Sequence, residues 1–315
     1  MEHWPSQHKP YNMTSYFKFL SFVLIVSASN ARAQSGVDST GLPGDNFSLQ
    51  GALQMFKKAS SPEDFEKLLN TQDNNVNNLD LNDDGQTDYI NVIDKADGNN
   101  HAFVLQVAVS PNESQDIAVI ELEKTGDESA SLQIVGDEDL YGEEVIAEPD
   151  GDQKDDALIN GWNSVNSGPS PSFANTNSAG IIVNVWFWPS VRFVYGPVYR
   201  PWISPWRWNH YPGWWRPWRP FGWAVWHPRC AVYHRHYVIV GTHRAIGIHN
   251  FYRPYRTTSV TFTTRHANAL GNYRVTRTRT TVTGPHGRSA TRTTTTVRGE
   301  RGRVKATKTT VRRHH

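Results

Sequence analysis

The sequence predicts an α+β protein: two short helices on a four-stranded antiparallel meander, followed by an irregular, β-prone region rich in Trp, Pro and Arg and by a Thr/Arg-rich hairpin or disordered tail. Three observations support this class. Apolar residues recur at helical spacing between residues 49 and 69, they alternate with smaller or polar residues between 89 and 136, and the alternating stretches are joined by short, turn-rich connections. Short connections favour antiparallel pairing because parallel strands need long crossovers.

The two helices are predicted from apolar spacing and from capping residues. The first carries three apolar residues on one face: Leu49, Leu53 and Phe56. The second begins at Ser61-Pro62, a capping hydroxyl followed by a first-turn proline, and two carboxylates come directly after them. We therefore expect both helices to cover one face of the sheet.

Four strands are predicted near residues 89–95, 101–109, 116–124 and 130–136. The second strand shows a clear alternation of apolar residues: Phe103, Leu105, Val107 and Val109. About a hundred residues are enough for an independent core. Residues 45–140 are therefore interpreted as one acidic α+β domain.

Charge is distributed very unevenly along the 315 residues, although 32 Lys and Arg nearly balance 30 Asp and Glu. Residues 1–156 contain 29 acidic and 9 basic side chains, whereas residues 157–315 contain 23 basic side chains and one acidic residue, Glu300. Opposite charges of about twenty on one chain predict contact between its acidic and basic halves, within or between molecules, or separate partners for each half.

The first 33 residues are predicted to be a secretory signal peptide, and Met13 is an alternative start of translation. A short apolar run, Phe19 to Val26, is followed by the small-residue cleavage pattern Ala31-Arg32-Ala33. The run is far shorter than the ~20 residues of a spanning helix. We therefore expect a mature chain without a spanning helix, exported to the periplasm, the cell surface or the medium. The alternative is a chain tethered to the membrane by an uncleaved signal segment.

The rest of the chain divides by composition. Residues 141–180 begin with an acidic run and continue with Asn, Ser, Gly and Pro, which predicts a solvated linker. Residues 181–252 form a Trp/Pro/Arg-rich region, and residues 253–315 form a basic tail with Thr/Arg repeats.

A calcium loop is predicted between the helices and the sheet. Oxygen ligands occur at alternate positions around a glycine that permits a sharp turn: Asp80, Asn82, Asp84, the Gln86 carbonyl and Asp88, with Gly85 at the turn. The spacing resembles the Asp-x-Asp-x-Asp-Gly loops of EF-hands, dockerins, thrombospondin type 3 repeats and integrin-like propellers. The alternative is a polar turn that binds no ion, because turns prefer the same residues.

The resemblance has limits within this sequence. Asn91 occupies the position at which an EF-hand has a bidentate Glu, and the residues after the loop predict a strand. The loop is therefore more similar to the propeller version, but a single copy does not imply a propeller fold. We expect weak, structural calcium binding.

The Trp-rich region is abnormal in composition. Ten of the twelve Trp lie between Trp186 and Trp226, interleaved with Arg and Pro. So many prolines exclude a regular helix, and we expect irregular chain with strands only at Ile181–Trp188 and Tyr237–Val240. Three interpretations remain open: a small Trp-filled core, a membrane-surface segment, or a binding surface for glycans or other polymers.

Four residues could ligate a transition metal: His227, Cys230, His234 and His236. Their spacing matches no established zinc pattern. The same stretch also fits an ordinary strand with alternating faces.

The tail contains a repeat. Thr280-Thr281-Val282 recurs fifteen residues later as Thr295-Thr296-Val297, and each copy is followed by glycine-containing turn residues. The pattern predicts hairpins, or a disordered tail that orders on an anion. The basic charge predicts an anionic envelope polymer or lipid surface as partner, and export argues against nucleic acid.

Motifs for catalysis are absent from the sequence: there is no nucleophile elbow, zinc-protease helix, phosphate loop or dinucleotide fingerprint. The leading hypothesis is an exported, non-catalytic envelope or surface protein, with a calcium-stabilised acidic module and a basic aromatic region that binds anionic polymers or lipids. The layout resembles that of uncharacterised secreted bacterial proteins. The alternatives are a His/Cys-dependent transition-metal binding protein and an extracellular hydrolase.

Overall fold

A six-stranded antiparallel sheet forms the centre of the fold. The structure is a computed structural model that describes residues 39–151, 182–283, 289–298 and 304–314. The strands lie in chain order across the sheet: β1 (Ile90–Asp97), β2 (Asn100–Ser110), β3 (Glu113–Gly126), β4 (Ser129–Gly136), β5 (Val145–Pro149) and β6 (Tyr237–Val240). The α+β class and the antiparallel meander are confirmed, with six strands instead of the predicted four. The predicted signal peptide, residues 1–33, lies outside the described residues.

The two additional strands come from different halves of the chain. β5 lies in the acidic run that was predicted to be linker, where Val145 and Ala147 are buried in the main core. The many carboxylates in that run make the alternation of apolar residues at Val145 and Ala147 difficult to recognise in the sequence. β6 was predicted as a strand, and it pairs with β5 so that Ile146 lies opposite Val240.

Seven α-helices occur in the described residues: α1 (Leu49–Lys58), α2 (Pro62–Leu69), α3 (Glu138–Tyr141), α4 (Pro189–Val194), α5 (Trp223–Cys230), α6 (Ile246–Tyr252) and α7 (Val260–Asn272). The predictions of α1 and α2 are confirmed. The Oγ atoms of Ser48 and Ser61 cap them by accepting hydrogen bonds from backbone N–H groups three residues later. Within these described ranges, no helix combines the length and the apolar character needed to cross a bilayer.

Both faces of the sheet are covered. On the first face, α1 and α2 enclose the main core, in which Phe56 contacts Phe65 and Phe103 with ring centroids 5.2 and 5.1 Å apart. On the second face, α6 packs against a smaller core of sheet residues and helix residues: Ala102, Val104, Val119, Val135, Ile146, Ala245, Ile248 and Tyr252. The second face therefore places residues of the basic half against strands of the acidic half.

The Trp-rich segment, residues 199–222, runs along β1, which is one of the two edge strands of the sheet. Asp94 N donates a hydrogen bond to Trp202 O at 2.7 Å, and Ser204 N donates to Val92 O at 3.0 Å. Buried Glu66 holds the segment against α2, because its carboxylate accepts hydrogen bonds from Trp202 Nε1 and Ser204 Oγ. The segment therefore covers an edge that would otherwise expose unpaired backbone groups.

Residues 199–222 contain no helix and no extended strand, in agreement with the predicted irregular chain. The strand predicted at Ile181–Trp188 is wrong over 182–188, where the chain makes turns that lead into α4. Pro189 explains the difference, because a proline at the first helical position favours helix and donates no backbone hydrogen bond to a sheet.

The tail begins with α7, which the Thr/Arg pattern did not predict. Ser259 caps this helix by accepting from Phe262 N, and Phe262 is buried in the main core. A separate antiparallel sheet follows, in the order β7 (Arg274–Thr283), β8 (Ser289–Arg298) and β9 (Val304–His314). The predicted hairpins are thus present in the backbone, and most of their turn residues, 284–288 and 299–303, lie outside the described residues.

Candidate metal centre

A buried carboxylate and two histidines meet on the second face of the sheet. Along β3, Ile120 and Leu122 enter the main core, so the neighbouring Glu121 points to the opposite face, where its side chain is completely buried. His249 lies on α6, and His243 lies in the loop between β6 and α6. One strand of the acidic half and two elements of the basic half therefore build the site.

The ligand atoms are close to one another. His249 Nδ1 lies 2.7 Å from Glu121 Oε1, and His243 Nδ1 lies 3.9 Å from Glu121 Oε2. The two imidazole centroids are 3.9 Å apart. In the part of the chain that the structure describes, this is where ligand atoms of three His, Cys, Asp or Glu residues come within 4.8 Å of one another.

Two of these atoms are buried without a hydrogen-bond partner. They are Glu121 Oε2 and His243 Nδ1, whose separation of 3.9 Å is too long for a hydrogen bond. Leaving a buried polar group unpaired costs about 1–3 kcal/mol, and more for a charged group. A cation bound between them would satisfy both.

The loop that carries His243 is held on both sides. Gln133 on β4 donates from Nε2 to Thr242 O and accepts at Oε1 from Arg244 N. Arg244 also pairs with Glu148 on β5. Because the residues before and after His243 are attached to neighbouring strands, the imidazole is directed toward Glu121.

A second carboxylate, that of Glu144, borders the site. Its Oε2 lies 3.3 Å from His243 Nε2, and about one third of its side chain is exposed. The carboxylate of Glu121, followed by that of Glu144, raises the pKa of His243 despite partial burial. A shallow surface depression adjoins the site and is lined by Glu144 and His249 together with Tyr252 and Arg253.

The predicted calcium loop forms a closed turn. Asp83 and Gly85 have left-handed backbone conformations with φ of 57° and 80°. The carboxylate of Asp80 accepts hydrogen bonds from the N–H groups of Asp84 and Gly85, and Asp84 accepts from Gln86 N. The positive φ of Gly85 agrees with its expected place at the sharp turn.

The remaining predicted ligands face one another inside this loop. Asn82 Nδ2 lies 3.3 Å from an oxygen of Asp84 and 3.3 Å from an oxygen of Asp88. Asp88 is nearly buried, and burial raises its pKa to about 8. Gln86 is exposed. Calcium binding by the loop stays a prediction.

The predicted His/Cys set is spread over α5 and the chain that follows it. Cys230 is buried and lies 3.4 Å from His227 O, and burial raises its pKa to about 12. The ring centroids of His227 and His234 are 6.2 Å apart. His236 is half-buried, and its carbonyl accepts a hydrogen bond from Asp150 N. Cys230 would ligate a metal through its thiolate, and burial disfavours this charged form of the side chain.

Sequence reasoning did not select Glu121, His243 and His249. His243 follows the last residue of the predicted His/Cys set by seven positions, and Glu121 lies within a predicted strand. One signal was available: Glu121 interrupts an apolar stretch of β3, Ile117 to Leu122, at a position where a sheet covered on both faces buries its side chain. The chain matches no protein-family model, no curated protein and no solved structure.

Proposed function

We propose that the protein is an exported metal-binding protein whose centre consists of Glu121, His243 and His249. One observation carries the proposal: Glu121 Oε2 and His243 Nδ1 are buried 3.9 Å apart and neither has a hydrogen-bond partner among the described residues. The other carboxylate oxygen, Oε1, lies 2.7 Å from His249 Nδ1. Export is inferred from the signal-peptide pattern of residues 1–33.

The ligand set favours a divalent transition metal such as Zn²⁺. Two imidazoles and one carboxylate are typical of zinc sites that keep a fourth position open, whereas calcium prefers six to eight oxygen ligands. A solvent molecule would take the fourth position, and Glu144 would orient the His243 ring through its contact with the other ring nitrogen, Nε2. The ion would join β3 to α6 and so link the acidic and basic halves.

Calorimetric titration of the full chain with Zn²⁺ tests this function. Glu121→Gln keeps the side-chain volume but removes the charge, and His243→Ala removes an imidazole. Each variant should bind one Zn²⁺ fewer per chain than the wild type. The matched control is His210→Ala, because His210 is an exposed histidine outside the centre. Unchanged stoichiometry and affinity in both centre variants would contradict the proposal.

A second candidate function, calcium binding at the 80–88 loop, is favoured by the carboxylates of Asp84 and Asp88, which both lie 3.3 Å from Asn82 Nδ2 and are therefore near each other. We expect a Kd of about 10⁻⁴ to 10⁻³ M, as in extracellular modules. The melting temperature should rise between chelator and millimolar calcium, and Asp84→Ala should abolish the rise. Asp127→Ala, which removes an exposed carboxylate in a turn, serves as the control. Equal melting temperatures in both buffers would rule out the site.

A further inference from the structure

The Trp-rich segment presents a row of exposed arginines to solvent. We define the arginine row as Arg200, Arg207, Arg216 and Arg219, all of which are exposed. Among the described residues, the arginines in ion pairs are Arg244, Arg256 and Arg265, and none belongs to the row. The row therefore offers four guanidinium groups that form no ion pair with a carboxylate of the described residues.

The two ends of the row are held apart because the segment is anchored at two points along the edge of the sheet. The segment is hydrogen-bonded to Asp94 N through Trp202 O and to Thr87 N through Trp218 O. Extended chain rises about 3.3 Å per residue, so these two anchor points are roughly 20 Å apart. A row of this length matches a chain-like anion better than a single small one.

Most of the tryptophan side chains between the arginines pack against the protein. Trp202, Trp206, Trp208 and Trp218 are half-buried, and Trp215 is buried against Tyr89 with ring centroids 5.1 Å apart. Trp214 is the exposed indole of this stretch, with 47% of its surface accessible. A membrane-surface segment would instead direct its aromatic side chains outward into the lipid interface.

We infer that the arginine row binds an anionic polysaccharide. Guanidinium groups pair with carboxylates or sulfates through two parallel hydrogen bonds, and the Trp214 indole provides a face on which a sugar ring can stack. The calcium loop adjoins one end of the row, since Thr87 follows the loop glycine and bonds Trp218. Its carboxylates oppose binding there, so Arg200 and Arg207 make the stronger contacts.

Arginine protection on the full chain tests this inference residue by residue. The probe is polygalacturonate, with neutral dextran as its control, in buffer with chelator so that calcium cannot bridge carboxylates. Phenylglyoxal labelling followed by mass spectrometry should show protection of the arginine row. Three other exposed arginines should keep their reactivity: Arg192, Arg235 and Arg253. Because each site is read separately, binding by the basic tail does not obscure the result.

Affinity measurements on two matched triple variants complete the test. Replacing Arg200, Arg207 and Arg216 with Ser should weaken polygalacturonate binding about tenfold at low salt. Replacing Arg192, Arg235 and Arg253 with Ser removes the same charge and should change affinity less than about twofold. Equal weakening by both triples, an unprotected row, or protection by anionic vesicles but not by polygalacturonate would overturn the inference.

Discussion

Arg244 and Glu148 form a bidentate ion pair, with Nε 2.6 Å from Oε2 and Nη2 2.7 Å from Oε1. Glu148 is buried on β5, and Arg244 directly follows His243 of the candidate metal centre. Arg256 makes a similar pair with Asp137, at 2.5 and 2.7 Å. The acidic and basic halves of the chain thus meet through specific, partly buried ion pairs on the second face of the sheet.

Replacing Arg244 with Met should lower the free energy of unfolding by about 2–4 kcal/mol, because the buried carboxylate of Glu148 loses its charged partner. Zinc affinity should fall as well, since the loop carrying His243 loses one of its attachments. Urea denaturation and calorimetry measure the two effects. Arg235→Met, at an exposed arginine without an ion pair, should change stability by less than about 0.5 kcal/mol. Equal stability of the two variants would contradict this account of the pair.

Phe56 should be critical for the main core. It is fully buried between Phe65 on α2 and Phe103 on β2. Phe56→Ala should therefore destabilise the fold by about 3–5 kcal/mol, the range for removal of a buried aromatic side chain. Thermal or urea unfolding measures the loss. Phe187→Ala is the control, because 66% of Phe187 is exposed. An equal loss of stability in the two variants would contradict the placement of Phe56 in the core.

The thiol of Cys230 should be unreactive in the folded protein. The side chain is completely buried, and burial raises its pKa to about 12, so at pH 8 roughly one molecule in 10⁴ carries the nucleophilic thiolate. A chromogenic disulfide reagent should label Cys230 slowly in native buffer and stoichiometrically in denaturant. Rapid native labelling would show that the chain around α5 opens readily.

His234 should make stability depend on pH below neutrality. Burial, followed by the charge of nearby His227, lowers the pKa of His234 to about 4 from the 6.5 expected in an unfolded chain. The unfolded state then binds a proton first, so this contribution is full above pH 6.5 and is lost as pH falls toward 4. The unfolding free energy of the wild type, measured relative to that of His234→Phe, should therefore fall as the pH is lowered over that range. A constant difference would contradict the assignment.

Elements with local signals were predictable from the sequence. The caps Ser48 and Ser61 and the apolar spacing that follows them place α1 and α2 at the expected residues. Strict alternation and short turns place β1 to β4 within about three residues of their predicted bounds. Repeated prolines correctly predicted irregular chain over 199–222, but the expectation that they exclude a regular helix fails at α5, which contains Pro228.

Local patterns in the chain were therefore sufficient to predict the α+β class, the meander and the irregular segment, since each depends on neighbouring residues. Long-range packing, by contrast, makes β5 and β6 extend the sheet and places α6 over its second face. The same packing brings His249 to Glu121 across 128 positions and His243 beside them. No local pattern encodes such a meeting, because it depends on which face of the sheet a distant helix covers.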